Sequence, residues 1–265
     1  MEKKIVVGTS GYSYKDWVGP LYPPGTKQRD FLSVYARHFE MTELNFTYYR
    51  QPDAATVSRM ADSTPAGFLF TVKAHCSLTH SVDRSNFLQE ADTFVRGIEP
   101  LLEHGKLASV LFQFPYSYHY NSENRLYLDT VCSGFKGYPI AIEFRNNEWM
   151  RPAVFKEFKD RAITLVNVDV PPLKNLPQSS GEVTSGTGYL RFHGRNAKNW
   201  WSGDNVTRYD YLYTDNELLE RLGDIKKMVQ RAGIVLVVFN NHSKGQAVVN
   251  ANRLKELIKN DSLPG

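Results

Sequence analysis

Ile140-Ala141-Ile142-Glu143-Phe144-Arg145, an amphipathic stretch from Ala153 to Lys159, then Thr164-Leu165-Val166-Asn167-Val168-Asp169: this segment decides the fold. Its two short runs are apolar and rich in β-branched residues, the composition of strands buried on both faces. The connection between them holds one helix and little else, which makes the strands parallel neighbours in a βαβ unit. The same rhythm continues outward in both directions. Upstream, Phe68–Lys73 precedes a helix from Phe87 to Glu103, and Val110–Phe114 precedes one from Ser122 to Cys132. Met41–Asn45 precedes a helix that starts after Pro52 with Asp53 as N-cap. Ile5–Gly8 leads through a Gly/Pro/Tyr-rich loop to a helix from Gln28 to Phe39, with Phe31, Leu32, Tyr35 and Phe39 on one face. Downstream, Tyr189–His193 precedes a polar aromatic loop and a helix from Glu217 to Arg231, and Ile234–Phe239 precedes a helix from Ala247 to Lys259. Only Pro171–Gly188, rich in Pro, Ser, Thr and Gly, has no helical period.

Eight strands with crossovers, seven of them followed by helices, predict an α/β fold: a single (β/α)8 TIM-type barrel over residues 1–265 with an irregular, helix-poor sixth crossover. A doubly wound open sheet is the competitor. It is the weaker reading because Gly8–Gly11 does not open directly into a helix. The 265 residues suffice for a large core without staples. A net charge of +4 is too mild to demand a nucleic-acid partner. Two cysteines, Cys76 and Cys132, give no disulfide framework. The N-terminal Met1-Glu2-Lys3-Lys4-Ile5-Val6-Val7-Gly8 reaches glycine too soon for a signal peptide, and no long apolar run follows. A cytoplasmic protein with no membrane partner is expected; the pattern carries no signal for oligomeric state.

Polar residues collect at the C-terminal ends of the strands, where a barrel keeps its chemistry. In strand order they are Thr9 and Ser10, Glu43 and Asn45, Lys73 and His75, Gln113, Glu143 and Arg145, Asp169, Arg191 and His193, then Asn240, Asn241 and His242. Residues two apart share a face, so several of these point the same way. The expectation is that Glu43, Lys73, Gln113, Glu143, Arg145, Arg191, His193 and Asn241 line one cavity. All four tryptophans, Trp17, Trp149, Trp200 and Trp201, fall in loops on the same side.

The chain also resembles a known family. The segments that carry the likeness are Gly8-Thr9-Ser10-Gly11-Tyr12 with Trp17, Tyr22-Pro23-Pro24-Gly25, Glu43–Arg50, Phe68–Ala74 with Thr79-His80, Gln113-Phe114-Pro115, Glu143-Phe144-Arg145, Arg191–Arg195 and Phe239–His242. In order and over nearly the whole chain they are similar to the DUF72, or YecE-like, proteins. The resemblance implies a TIM barrel and no particular activity. A likeness of that barrel to metal-dependent DNA-repair endonucleases points to nucleic-acid work by fold analogy alone.

Several chemistries compete for these residues. A metal would draw on His75, Glu143, Asp169 and His193, with His80 and His242 nearby. Lys73, Arg145 and Arg191 would repel it, so a divalent metal is the lesser reading and no cofactor is expected. Glycoside hydrolysis needs two carboxyl groups, and only Glu43 and Glu143 are placed for it. Lys73 would serve a Schiff base, but an ion pair with Glu43 is the plainer role for it. No GxSxG elbow supports a serine nucleophile, and Cys76 points away from His75. Anion binding is better supported, by Gly194 with Arg195 and by Lys244 with Gly245 in the loops after strands seven and eight, the usual phosphate cradle of the fold. Aromatic groups interleaved with cations suit stacking beside phosphate.

The leading expectation is therefore an enzyme acting on a phosphate-bearing or otherwise anionic organic substrate, nucleotides and nucleic acid included. Glu143 and His193 would handle protons, joined in the catalytic set by Lys73 and Glu43. Asn45, Tyr12, His75, Gln113, Arg145, Arg191, Arg195, Asn240, Asn241, Gly245, Trp17 and Trp149 would hold the substrate. The alternative is a non-catalytic protein that binds a metabolite or single-stranded nucleic acid in the same pocket.

Overall fold

Eight strands close into one parallel barrel, each hydrogen-bonded to its neighbours in sequence and the last to the first. They are β1 (Lys4–Ser10), β2 (Met41–Leu44), β3 (Leu69–Lys73), β4 (Leu107–Gln113), β5 (Ile140–Glu143), β6 (Thr164–Asp169), β7 (Thr187–Phe192) and β8 (Ile234–Phe239). The helices are α1 (Phe31–Tyr35), α2 (Phe46–Tyr49), α3 (Ala54–Asp62), α4 (Phe87–Glu103), α5 (Ser122–Gly134), α6 (Pro152–Asp160), α7 (Asp215–Arg231) and α8 (Gln246–Asn260). The computed structural model describes residues 4–204 and 206–265. Met1, Glu2 and Lys3 of the N-terminal segment therefore lie outside the described residues.

The strands are buried on both faces because each face has its own partner. Val6, Met41, Leu111, Ala141, Val166, Val168, Leu236 and Val238 fill the barrel interior around Tyr189. Their neighbours of opposite parity, such as Val7, Phe112, Ile142 and Val237, pack outward against the helices. Local chemistry starts the helices where the sequence places them. Asp53 and Asn121 accept the backbone N–H of Thr56 and Asn124, and Thr214 with Glu217 forms a capping box.

One expected helix takes a different form. The helix expected over Gln28–Phe39 is a 3₁₀ turn, Gln28–Asp30, followed by the short α1. The chain leaves α1 at Ala36 because Phe39 must drop into the core just before β2 begins. The sixth crossover is helix-free as expected, and side chains take over the work of a helix. Asn167 clasps the backbone of Glu182 through both its amide atoms, and Thr184 bridges Leu165 N–H and Ile163 C=O.

Candidate functional site

The strand parity that builds the barrel core also selects what reaches its mouth. Continuing the inward rows upward gives Ser10 on β1, Glu43 and Asn45 at β2, Thr71 and Lys73 on β3, and Gln113 on β4. It gives Glu143 and Arg145 at β5, Arg191 and His193 at β7, and Asn240 after β8. These residues form two levels.

The lower level is a sealed ion cluster. Arg191 donates through Nη2 to Glu43 Oε1 at 2.6 Å and through Nη1 to Glu143 Oε2. Glu43 also accepts from Ser10 Oγ at 2.5 Å and from Tyr189 OH at 2.7 Å. Glu143 also accepts from Arg145 Nε at 2.6 Å and lies 3.2 Å from His193 Nε2. Asn240 Nδ2 stands 3.0 Å from His193 Nδ1. Those partners assign the neutral tautomer with the proton on Nε2, donated to Glu143. Glu43, Glu143 and His193 have no exposed surface. Burial works against the Glu143 carboxylate, yet Arg191, Arg145 and His193 overcome it and hold its pKa well below the ordinary range. Burial first, then the charge of Arg145, pushes His193 down to about 3. Tyr189 is raised well above 10 by burial and by Glu43, so it stays a phenol.

The upper level is open. Two adjoining cavities of about 410 and 250 Å³ share Tyr48, Tyr49, Lys73, Arg145 and Tyr209 in their walls. Gln113, His80, Tyr116, Trp200, Trp201 and Arg208 line the larger, and Asn45, Arg191, Asn240, Tyr14 and His242 the smaller. Among the described residues no carboxylate lines either. Lys73 Nζ donates to Gln113 Oε1 at 3.0 Å and lies 4.4 Å from the centre of the Tyr48 ring. Gln113 is fixed in that orientation because its Nε2 donates to Phe114 C=O at 2.9 Å. Burial, then the charge of Arg191, brings Lys73 down to about 8. The Tyr209 ring stands 5.9 Å from that of His193. Burial alone would raise this phenol; Arg145, Lys73 and Arg208 outweigh it and lower its pKa from the ordinary 10. Partial burial, then Lys73 and Arg145, holds His80 at about 4, so it is neutral near pH 7.

Of the candidate site residues, Lys73, Gln113, Arg145, Arg191, Asn45 and Asn240 line the cavities, and Glu43, Glu143 and His193 lie directly beneath. The others are elsewhere, each for an identifiable reason. Asp169 and Asn241 have outward parity: Asp169 accepts from Tyr213 OH and Arg195, and Asn241 donates to Tyr211 C=O and Asn250. His75 lies past the end of β3, where the chain turns, and binds Ser77 Oγ at 2.8 Å near Glu90. Trp17 and Trp149 are buried and spend their indole N–H groups on His242 C=O and Tyr118 C=O. Trp149 also stacks on Phe144 at 4.5 Å. Tyr12 packs against Tyr35.

The expected phosphate cradle is occupied by the protein itself. Arg195 is shared by Asp169 at 2.8 Å and Glu220 at 2.9 Å, and Lys244 by Asp210 at 2.7 Å. Gly245 is left-handed (φ 76°) at the start of α8, and an added Cβ would meet Pro20 at 2.9 Å. Gly194 N–H donates to Tyr213 OH, with Tyr211 against it. Nor do His75, Glu143, Asp169 and His193 converge as a metal set; among the described residues no three His, Cys, Asp or Glu side chains gather for one. The ion pair expected between Lys73 and Glu43 is not formed either, because Arg191 claims Glu43. That claim also removes Glu43 and Glu143 as a free glycosidase pair.

Sequence reasoning missed Tyr209 and Arg208. They lie in the irregular loop after β7, where no periodicity assigns a direction, and nothing in the sequence separates Tyr209 from Tyr211 and Tyr213 beside it.

Comparisons with known proteins agree on the lineage. The profile of the family described as "Protein of unknown function DUF72" matches residues 6–264. The UPF0759 protein YunF of Bacillus subtilis (strain 168) is 30% identical over 269 residues, covering 96% of this chain and 94% of that protein. The crystal structure of a DUF72 family protein from Thermotoga maritima MSB8 is 37% identical, with a TM-score of 0.88, over 97% of this chain and 99% of that one. A DUF72 family protein from Enterococcus faecalis V583 is 30% identical, with a TM-score of 0.85, over 96% and 95%. No described helix is long and apolar enough to cross a membrane.

Proposed function

The chain belongs to the DUF72 family, and from that premise we propose that it is an enzyme acting on a small anionic, phosphate-bearing organic molecule held in the mouth cavities. One observation carries this reading: the cavity walls present Lys73, Arg145, Arg191 and Arg208 and no carboxylate. The carboxylates of the sealed cluster beneath answer Arg191 and Arg145. Lys73 and Arg208 have no carboxylate within 4 Å among the described residues, so their charge is left for a ligand. The volumes suit a molecule up to the size of a nucleotide. Tyr48, Tyr116 and the exposed Trp201 offer ring faces beside the cations.

An enzyme is favoured over a binding module by the pKa values at the mouth. A site built only to hold an anion keeps its cations fully charged, whereas Lys73 at about 8 and the lowered Tyr209 are both moved toward the working pH. Lys73 and Tyr209 therefore take the proton-handling role, and Glu143, Glu43, Arg191 and His193 position them. Both free thiols, Cys76 and Cys132, go with a reducing, cytoplasmic setting. The test is conversion of phosphorylated sugars, acids and nucleotides followed by mass spectrometry. Tyr209→Phe should still bind the converted compound but turn it over roughly a hundredfold more slowly. Conversion by Tyr209→Phe at the wild-type rate would remove the proton-handling role; absence of saturable anion binding by the wild type would remove the site.

A further inference from the structure

We infer that Lys73 is a covalent amine site: its Nζ adds to the carbonyl carbon of an anionic aldehyde or ketone, and loss of water leaves an iminium linkage to the protein. This rests on the anion-binding reading above and names the substrate class within it.

Four features of the cavity support the inference. The amine stands in the wall common to both cavities, so a ligand in either reaches it. It touches the Gln113 carbonyl oxygen and the Tyr48 ring face, and among the described residues no carboxylate lies within 4 Å of it. The locked Gln113 amide takes one N–H of Nζ, which fixes how the nitrogen faces the cavity. Tyr209, in the same walls, can exchange a proton with whatever is bound there, since Arg145 stabilises its phenolate.

The steps balance without a further reactant. The neutral amine attacks the carbonyl carbon, a C–N bond forms, and the C=O π pair moves to oxygen. An amine proton passes to that oxygen and gives the neutral carbinolamine. Tyr209 OH then protonates the hydroxyl, the C–O bond breaks, water leaves, and the nitrogen lone pair completes the iminium opposite the Tyr209 phenolate. Arg208, whose charge no described carboxylate answers, holds the anionic end of the substrate meanwhile.

The charges around the amine tune its reactivity. Burial, Arg191 and Arg145 disfavour its protonated form, Tyr209 and Glu43 oppose them in part, and His80 is neutral. The result, about 8, leaves a useful share of free amine where an ordinary lysine near 10.4 has almost none.

Glyoxylate with sodium cyanoborohydride, followed by peptide mapping, tests the inference on the intact chain. The first adduct should fall on Lys73, faster than on any other lysine, with a rate that rises through about pH 8. Lys73→Arg, which has no primary amine at that position, should lose that adduct. Tyr209→Phe should slow adduct formation roughly a hundredfold. Labelling spread evenly over the lysines, or sparing Lys73, overturns the inference. Sulfate titration of the same sample separates the two readings: binding without the adduct sinks the covalent role alone, and no binding sinks the anion site with it.

Discussion

Arg195, on the loop after β7, and Lys73, at the end of β3, stand at the same end of the barrel and both belong to clusters of arginine, tyrosine and polar groups. Around Arg195 the protein supplies the counter-charge itself: Asp169 and Glu220 take the guanidinium, and Tyr213 OH completes Asp169. Around Lys73 it does not, since Gln113 and Tyr48 are neutral and the nearest carboxylates are spent on Arg191. Residue types alone make the two places look equally suited to an anion. What separates them is whether the local balance of charge is already closed.

The largest expected effect lies beneath the Lys73 cavity. Arg191→Met would leave Glu43 and Glu143 facing one another with Arg145 as their remaining cation, and should cost about 3–5 kcal/mol of stability or prevent folding. Urea unfolding reads it. A loss below about 1 kcal/mol would mean that the sealed cluster does not hold the site up.

Acid should expose the same cluster without a mutation. His193 titrates near 3 in the folded state against 6.5 in the unfolded chain, so between those values the unfolded state binds the extra proton. Its contribution is complete above pH 6.5 and is lost as pH falls toward 3. Glu143, also depressed, adds its own loss below about 4.5. Urea midpoints measured from pH 7 to pH 4 should fall steadily, and a flat profile would contradict the sealed geometry.

A smaller effect sharpens the comparison most directly. Sulfate, whose charge is constant over this range, should bind the wild type and weaken by roughly tenfold in Lys73→Met, about 1.4 kcal/mol. Arg195→Ala should leave that affinity unchanged, because its guanidinium is already committed. Equal weakening by both substitutions would erase the distinction between the two clusters. Affinity for sulfate should also decline as pH rises through about 8, where Lys73 gives up its charge.

The strands, the longer helices and the irregular crossover were legible because alternation of apolar runs with amphipathic stretches is a local property of the chain; the short α1 and α2 were not. Parity was legible too, and carried further it would have sent Asp169 and Asn241 outward, since Val166 and Val168 occupy the inward row of β6 and Leu236 and Val238 that of β8. The roles of Trp17 and Trp149 were not legible, because an indole in a loop packs or is presented according to neighbours distant in sequence, such as His242 for Trp17.

By itself the sequence determined the barrel, its family and the convergence of Glu43, Lys73, Gln113, Glu143, Arg145, Arg191 and His193 on one end. Strand order and the period of two are written in the chain, and a closed parallel barrel leaves few ways to realise them. Only the tertiary structure decided which of those charges are spent. Arg191 reaches Glu43 across 148 positions and Glu143 across 48, and Tyr209 arrives from a loop with no period. Pairing depends on distances of a few ångströms between side chains far apart in sequence, and Coulomb energy in a low-dielectric interior is set by those distances, not by composition.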